Sequence, residues 1–148
     1  MDEQRMDLRE VAPDAIPPLL KLEKLAHGAV EARLLDLIKL RASMLNGCTF
    51  CVDMHSRDAQ AAGEDPRRLF GLAAWSESPF YTEPERAALA LTDAVTRIGD
   101  AGVSDEVWRD VTKHFTDEQV AGLMVAIATI NVWNRFGVGL RFQPPTDA

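Results

Sequence analysis

The chain alternates between segments with apolar residues three and four positions apart and short polar or glycine-containing breaks. This spacing gathers apolar side chains on one face of a helix, and no stretch keeps the strict alternation typical of a half-buried strand. The pattern predicts an all-α domain, a compact bundle of six or seven helices. The predicted helices cover roughly residues 13–28, 30–46, 49–62, 65–75, 82–99, 104–115 and 116–142.

Capping signals support several of these boundaries. Thr82, Ser104 and Thr116 each precede acidic residues and suit a helix N-cap. Gly47 and Gly63 follow apolar helical segments and suit the left-handed residue that ends a helix. Residues 1–12 are polar and irregular, so they are predicted to form a flexible or partner-bound arm before a single domain at 13–148.

The last predicted helix contains a run, VAGLMVAIATINV at 120–132, that is apolar almost all round. A membrane span needs about 20 apolar residues, so this shorter run predicts a buried core or interface helix. The same helix carries Asn131, Asn134 and Arg135, which either line a site or form a satisfied buried network. Gly137 and Gly139 are expected to weaken its end.

Composition narrows the function classes. With 148 residues, 47% of them hydrophobic and 26% charged, the chain fits one ordinary globular domain. Its net charge of −7 argues against a nucleic-acid-binding surface and a polybasic membrane patch. The acidic start has no apolar signal-peptide core, so a cytoplasmic location is expected.

The candidate chemistry lies at the start of the third predicted helix. Cys48 and Cys51 are the only two cysteines, and His55 follows four residues after the second. Residues three and four apart are neighbours on a helix face, so the three side chains should form one row. In a reducing compartment a lone Cys-x-x-Cys pair is more plausibly catalytic or metal-binding than a structural disulfide.

Asp36, on the preceding helix, is the candidate carboxylate for this row. With a rise of about 1.5 Å per residue, His55 lies about 10 Å beyond Cys48 and Asp36 about 15 Å before Asn46. In an antiparallel hairpin these heights differ by about one turn, so Asp36 is predicted to approach His55. Cys51 lies in the first helical turn, where unpaired N–H groups favour a thiolate, and His55 can accept its proton while Asp36 orients the imidazole.

The run LLDLIKLRASMLNGCTFCVDMHS resembles the redox motif of the carboxymuconolactone decarboxylase/alkylhydroperoxidase D (AhpD) family. The motif is a glutamate, eleven residues, Cys-x-x-Cys, three residues and a histidine. Cys48, Cys51 and His55 match it, and Asp36 occupies the glutamate position with a side chain one methylene shorter. The resemblance continues in FYTEPERAALALTDAVT and INVWNR and so covers most of the chain from about residue 15.

The resemblance implies an AhpD-like helical fold assembled into trimers or hexamers, and a thiol-dependent reduction of hydroperoxides without a cofactor. It implies that Cys51 attacks the peroxide and Cys48 resolves the sulfenic acid as a disulfide. A dithiol or protein reductant then restores the pair by exchange. The spacing alone does not fix the order of the two cysteines.

Other interpretations of the same residues stay open. The cysteines could pack as small hydrophobes, or bind zinc together with His55 and Asp36. The chain could also be a non-catalytic redox-sensing or assembly protein. A last alternative is a carboxymuconolactone-decarboxylase-like enzyme of unknown substrate, although the retained cysteine pair favours thiol chemistry.

Overall fold

The computed structural model describes residues 3–146 and contains, within them, eight α-helices and no strand. The all-α, single-domain prediction is confirmed. The helices are α1 (Leu8–Val11), α2 (Ile16–Ala29), α3 (Ala32–Asn46), α4 (Thr49–Ala61), α5 (Pro66–Gly71), α6 (Glu83–Thr96), α7 (Asp105–His114) and α8 (Asp117–Leu140). Short 3₁₀ segments span Pro13–Ala15 and Leu72–Glu77. The helix beyond the expected number is α1, a single turn within the segment predicted to be irregular.

The α3–α4 hairpin forms at the predicted glycine. Gly47 adopts φ 66° and ψ 31°, a left-handed conformation that glycine reaches without steric cost. Its N–H donates to the carbonyl oxygen of Met44 at 3.2 Å, and the N–H of Cys48 donates to that of Ser43 at 3.1 Å. These two bonds satisfy carbonyls at the end of α3 and turn the chain directly into α4. Cys48 is therefore fixed by backbone geometry at the start of α4.

Helix α8 is the centre of the bundle and packs mainly against α2 and α3. It starts with the predicted capping box: Thr116 Oγ1 accepts the N–H of Gln119, and Gln119 Oε1 accepts that of Thr116. Its apolar residues join the main core, whose fully or nearly fully buried members include Leu35, Ile38, Leu91, Val111, Leu123 and Ile127. The helix continues through both late glycines to Leu140.

Helix α8 is also long and apolar enough to cross a membrane by length and composition alone. Its most apolar window of 18 residues has a mean hydropathy of 1.3, and 44% of that window is buried inside the bundle. Its polar side chains Asn131 and Asn134 are hydrogen-bonded to α3 and α6. The helix therefore acts as a core helix here, as predicted from the 120–132 run, and the cytoplasmic location stays a prediction.

A second apolar cluster joins α3 to α4, α5 and α6, with Leu37, Leu40, Leu72 and Leu89 at its centre. Beside it, Arg41 forms two hydrogen bonds with Asp93, from Nε to Oδ1 at 2.7 Å and from Nη2 to Oδ2 at 2.9 Å. Trp75 Nε1 donates to the same carboxylate at 3.1 Å. This bidentate pair fixes the rotation of α3 against α6, and α3 leads through Gly47 into the helix that carries the cysteines.

The N-terminal segment lies against the end of α8. The backbone N–H of Arg5 donates to the carbonyl oxygen of Leu140 at 2.9 Å, and Arg5 Nη1 donates to that of Gly139 at 3.0 Å. These bonds satisfy carbonyls that the end of a helix leaves without a partner. Residues 3–11 are thereby held beside the cysteine helix, whereas their predicted role as a flexible or partner-bound arm stays a prediction.

The α2–α8 contact depends on a missing side chain, and this gives a test of the packing. A Cβ atom on Gly122 would lie 2.7 Å from Ala29 Cβ and 3.0 Å from Val30 Cγ2. Gly122→Ala should lower the free energy of unfolding by about 1–3 kcal/mol despite the better helix propensity of alanine. Denaturant unfolding measures this change. In the matched control, Gly28→Ala, the new methyl group meets nothing within 4 Å, so stability should hold or rise.

Candidate active site

The two cysteines meet at the N-terminus of α4. Cys48 is the N-cap residue, and its sulfur accepts the backbone N–H of Cys51 at 3.4 Å. The two Sγ atoms are 2.6 Å apart, and neither cysteine is in a disulfide. Both are buried, with 1% and 3% of their surfaces exposed. The structure thus brings together the two thiols that the sequence predicted to be neighbours, in a position to form a disulfide.

The thiol with the lower pKa is Cys48, not Cys51. The hydrogen bond from the Cys51 thiol, helped by the Cys51 backbone N–H, lowers the pKa of Cys48 to about 7 against the effect of burial. Cys51 donates that hydrogen bond, and so its own pKa is raised. The sequence analysis predicted that the N–H groups at the start of α4 stabilise a thiolate at Cys51. These N–H groups point toward the N-cap residue, so the sulfur of Cys48 accepts the hydrogen bond instead.

Gly137 of α8 lies directly against the sulfurs. A Cβ atom at this position would be 2.5 Å from Cys48 Sγ and 3.7 Å from Cys51 Sγ. No side chain fits there without displacing the Cys48 sulfur. The interpretation of Gly137 from sequence as a weak point of the helix did not include this contact: Gly137 permits the close approach of α8 to the thiols, and α8 continues through it to Leu140.

Asn134, one turn earlier on α8, provides a polar contact to the thiols. The residue is fully buried; its Nδ2 donates to Ser43 Oγ at 3.0 Å, and its Oδ1 accepts from Asn46 Nδ2 at 3.0 Å. Hydrogen bonding from the Asn134 side chain also lowers the pKa of both cysteines. Of the two possibilities raised for Asn134, a site residue or a buried network, the structure has both.

Cys51 and His55 open onto the same cavity, which has a volume of about 560 Å³. Its walls are largely apolar, and the residues that form them come from both chain ends as well as from α2, α4 and α8: Gln4, Asp7, Leu8, Arg9, Ile16, Glu23, Phe50, Met54, Trp133, Phe142 and Gln143. Phe50 meets Phe142 edge to face, with ring centroids 5.9 Å apart. Cys48 is not among the wall residues. A small molecule in this cavity would therefore reach Cys51 first.

His55 is a neutral base at physiological pH. Burial, and then the positive charge of Lys39, lower its pKa to about 4, and the negative charge of Glu23 partly opposes them. An uncharged imidazole can accept a proton from a neighbouring thiol or give one up after it has done so. His55 and Cys51 both line the cavity from α4, four residues apart.

Asp36 was predicted to support His55, but the charged groups that act on His55 are Lys39 and Glu23. Burial raises the pKa of Asp36, and the charged groups acting on it are Lys39, Asp58, His27 and Glu64. The hairpin geometry explains this result: Asp36 and Asp58 lie about 15 Å from the turn, whereas Lys39 and His55 lie about 10 Å from it. A difference of one turn was enough to place a different residue opposite His55. The catalytic roles of Cys48, Cys51, His55 and Asp36 stay predictions.

Sequence reasoning missed Glu23 and Lys39. Lys39 is 6% exposed, and its Nζ lies 2.6 Å from Glu23 Oε2 and 3.3 Å from His27 Nε2. Glu23 forms part of the cavity wall beside His55. Lys39 lies seven residues before Asn46, and His55 lies seven residues after Cys48. In an antiparallel hairpin this equal spacing from the turn places the two residues at the same level, so the sequence did contain a signal for Lys39. No local pattern distinguishes Glu23, because its position depends on how α2 packs across the hairpin.

Metal ligation was an open alternative. Across the part of the chain that the structure describes, no group of three His, Cys, Asp or Glu side chains is arranged to hold a metal ion. Asp36, which the zinc interpretation needed as a ligand, lies among Lys39, Asp58, His27 and Glu64 instead.

Comparison with known sequences places the α3–α4 hairpin and its cysteines within a known protein family. The sequence profile of the carboxymuconolactone decarboxylase family matches residues 14–94, which is more than half of the chain. The chain belongs to the carboxymuconolactone decarboxylase family. The matched segment contains α2 to α5 and most of α6, including both cysteines, His55, Glu23 and Lys39.

Relatives within the family support its AhpD-like branch. YdfG of Bacillus subtilis, an uncharacterised protein, is 38% identical over 138 residues, 93% of this chain and 94% of YdfG. A crystal structure of a protein of unknown function from Agrobacterium tumefaciens, described as a candidate AhpD antioxidant defence protein, is 40% identical with a TM-score of 0.93. It covers 98% of this chain and 100% of its own. Alkyl hydroperoxide reductase AhpD of Caulobacter vibrioides is 34% identical over 58 residues, 39% of this chain and 32% of that protein. The AhpD-like family resemblance is confirmed.

The contact between α8 and the thiols gives one prediction for this family member. Gly137→Ala should push the Cys48 sulfur away from the Cys51 N–H and thiol, because the new methyl group overlaps it. The pKa of the first thiol to ionise should then rise by about one unit or more from its value near 7, toward that of free cysteine. The ultraviolet absorbance of the thiolate, followed against pH, measures this shift. Gly139→Ala, on the same helix in open space, is the control and should keep the wild-type pKa; equal pKa values in the two variants would contradict the proposed contact.

The low pKa of His55 gives a second prediction, on stability against pH. Its pKa is about 4 in the folded state and 6.5 in the unfolded chain, so between these values only the unfolded chain binds the proton. Stability should therefore fall as the pH falls from about 6.5 to about 4, by at most about 3 kcal/mol from this group. Urea unfolding of wild type and His55→Gln at several pH values isolates the effect as the difference between the two curves. Parallel curves for the two proteins would show that His55 titrates normally.

Proposed function

We propose that this protein is a thiol-dependent hydroperoxide reductase of the AhpD type. The observation that carries the proposal is the arrangement at the cavity: Cys51 and a neutral His55 face it together, and the Cys48 sulfur lies 2.6 Å behind Cys51. The thiol that attacks the peroxide and the group that carries its proton must both reach the substrate, whereas the resolving thiol needs only to reach the first sulfur. The family relationship, which includes proteins named as alkyl hydroperoxide reductases, supports the same chemistry.

The first step of the proposed reaction is proton removal from Cys51. The neutral imidazole of His55 takes the thiol proton, and the Cys51 thiolate attacks the terminal oxygen of the hydroperoxide. The S–O bond forms as the O–O bond breaks, which gives a Cys51 sulfenic acid and an alkoxide. The imidazolium returns its proton to the alkoxide, so an alcohol leaves and His55 is neutral again. A pKa near 4 makes the imidazolium a strong donor in this return step.

In the second step Cys48 resolves the sulfenic acid. With a pKa of about 7, Cys48 is substantially ionised at neutral pH, and its thiolate attacks the Cys51 sulfur. The S–S bond forms as the S–O bond breaks, and the hydroxide that leaves takes up a proton from solvent to become water. In this scheme Cys51 attacks the peroxide because it lines the cavity, and Cys48 forms the disulfide because its low pKa makes it a thiolate. An external dithiol, either a small molecule or a protein, reduces the disulfide by exchange and completes the cycle.

A coupled peroxide-consumption assay with a dithiol reductant tests this proposal. Wild type should turn over, Cys51→Ser and Cys48→Ser should not, and His55→Ala should lose about 100-fold or more. Thr49→Ala, which alters the exposed residue between the cysteines, is the control and should keep turnover. Oxidation of wild type to the disulfide without repeated turnover would favour the redox-sensing alternative.

The order of the two cysteines needs its own experiment. After one equivalent of hydroperoxide, a sulfenic-acid probe followed by peptide mass spectrometry should label Cys51 in Cys48→Ser. The same treatment of Cys51→Ser should leave Cys48 unlabelled, because Cys48 does not line the cavity. Labelling of Cys48 alone would reverse the assigned roles.

A further inference from the structure

The charged groups around the cavity include an ion pair that the reaction above does not use. Lys39 of α3 and Glu23 of α2 meet at 2.6 Å, with 7% and 20% of their side chains exposed. Glu23 lies in the wall of the cavity shared by Cys51 and His55. A buried pair of this kind is a weak reason for stability, because removing two charges from water offsets much of their attraction. Its position beside the proton carrier calls for a functional account.

We infer that Glu23, held by Lys39, is the carboxylate that supports His55 during proton transfer, in the role that the sequence motif assigns to Asp36. This inference rests on the proposed function, since it concerns the proton carrier of that reaction. Glu23 faces His55 across the cavity wall from α2, whereas Asp36 lies one helical turn farther from the α3–α4 turn than His55. Glu23 is a positioning residue, because it acts on His55 and not on the peroxide.

The charges around His55 explain how the pair would work. Lys39 disfavours the imidazolium and Glu23 favours it, so Glu23 partly opposes Lys39, and burial keeps His55 neutral. When His55 accepts the Cys51 proton, the adjacent Glu23 carboxylate stabilises the new positive charge. Asp7 and Arg9, the other charged side chains in the cavity wall, come from the N-terminal segment and carry opposite charges.

Lys39 also separates Asp36 from the site. The charges of Lys39 and His27 act on Asp36, and Lys39 Nζ contacts both Glu23 and His27. Lys39 acts on both Asp36 and His55, whereas Asp36 is not among the charged groups that act on His55. The shorter carboxylate at the motif position is compatible with this arrangement, since Glu23 provides the direct neighbour.

A charge-deletion cycle read by NMR tests this inference without requiring peroxide turnover. The His55 ring signals, distinguished from those of His27 and His114 with His→Gln variants, give its pKa in wild type, Lys39→Gln, Glu23→Gln and the double variant. Lys39→Gln should raise the pKa of His55 by about one unit or more, because Glu23 is then left unopposed. The pKa of His55 should be lower in Lys39→Gln/Glu23→Gln than in Lys39→Gln, because the carboxylate that favours the imidazolium is gone. Equal pKa values in Lys39→Gln and the double variant would overturn the assignment of Glu23.

Thiol reactivity and turnover provide the second arm. Glu23→Gln should reduce kcat/KM for hydroperoxide about tenfold or more, the factor that corresponds to one pKa unit, and reduce it more than Asp36→Asn does. Asp53→Asn, on α4 but paired with Arg57 away from the cavity, controls for a general change of charge. Glu23→Asp should recover part of the loss, provided that circular dichroism shows both variants folded. A larger loss in Asp36→Asn than in Glu23→Gln would restore Asp36 to the role.

The two failures are distinguishable. If wild type does not consume peroxide, the proposed function fails, yet the NMR cycle still decides whether Glu23 controls the His55 charge. If wild type turns over and Glu23→Gln matches it in both pKa and kcat/KM, only the assignment of Glu23 fails.

Discussion

The contact between two sulfur atoms and the backbone of α8 is the constraint on which the rest of the site depends. Cys48 can be the N-cap of α4 only because Gly47 turns the chain sharply after α3. Its sulfur then lies where a Cβ on Gly137 would be, so α8 approaches the start of α4 more closely than a side chain would permit. The close approach brings Asn134 within hydrogen-bonding reach of both thiols. The polar contact between Asn134 and the thiols thus depends on the absence of a side chain at Gly137.

This contact also separates the roles of the two cysteines. The inner sulfur receives the N–H of the first helical turn and ionises first, whereas the outer one faces the cavity and keeps its proton. A reactive outer thiol therefore needs a base on the cavity side, and His55 is the neutral imidazole available there. The Glu23–Lys39 pair beyond it is nearly balanced in charge, so it can respond to a proton on His55 without keeping one there at rest.

The predictable parts of the structure were those set by local sequence. The turn at Gly47, the N-caps at Thr82 and Thr116 and the row of Cys48, Cys51 and His55 each depend on residues within a few positions. The failures share one cause, which is that they depend on packing between helices. Asp36 lies within about one turn of the level of His55 along the hairpin, but the charges that act on it are those of other residues. Glu23 reaches the cavity because α2 packs across the α3–α4 hairpin. A glycine such as Gly137 shows no sign in the sequence of what approaches it.

The segment that matches the family contains the candidate reactive residues, whereas about half of the residues that line the cavity lie outside it. Residues 14–94 contain both thiols, the imidazole and the Glu23–Lys39 pair, so the groups of the proposed reaction all lie within the matched segment. Just over half of the wall residues lie outside it. Gln4, Asp7, Leu8, Arg9, Phe142 and Gln143 come from the two chain ends, and Trp133 comes from α8. Arg5 binds these ends together through the last carbonyls of α8. The C-terminal part of this wall is also tied to the thiol site. The backbone N–H of Phe142 donates to the carbonyl oxygen of Gly137 at 2.9 Å, and its ring packs edge to face on Phe50 between the two cysteines. A change of size at Phe142 should therefore alter both the cavity and the contacts around the sulfurs.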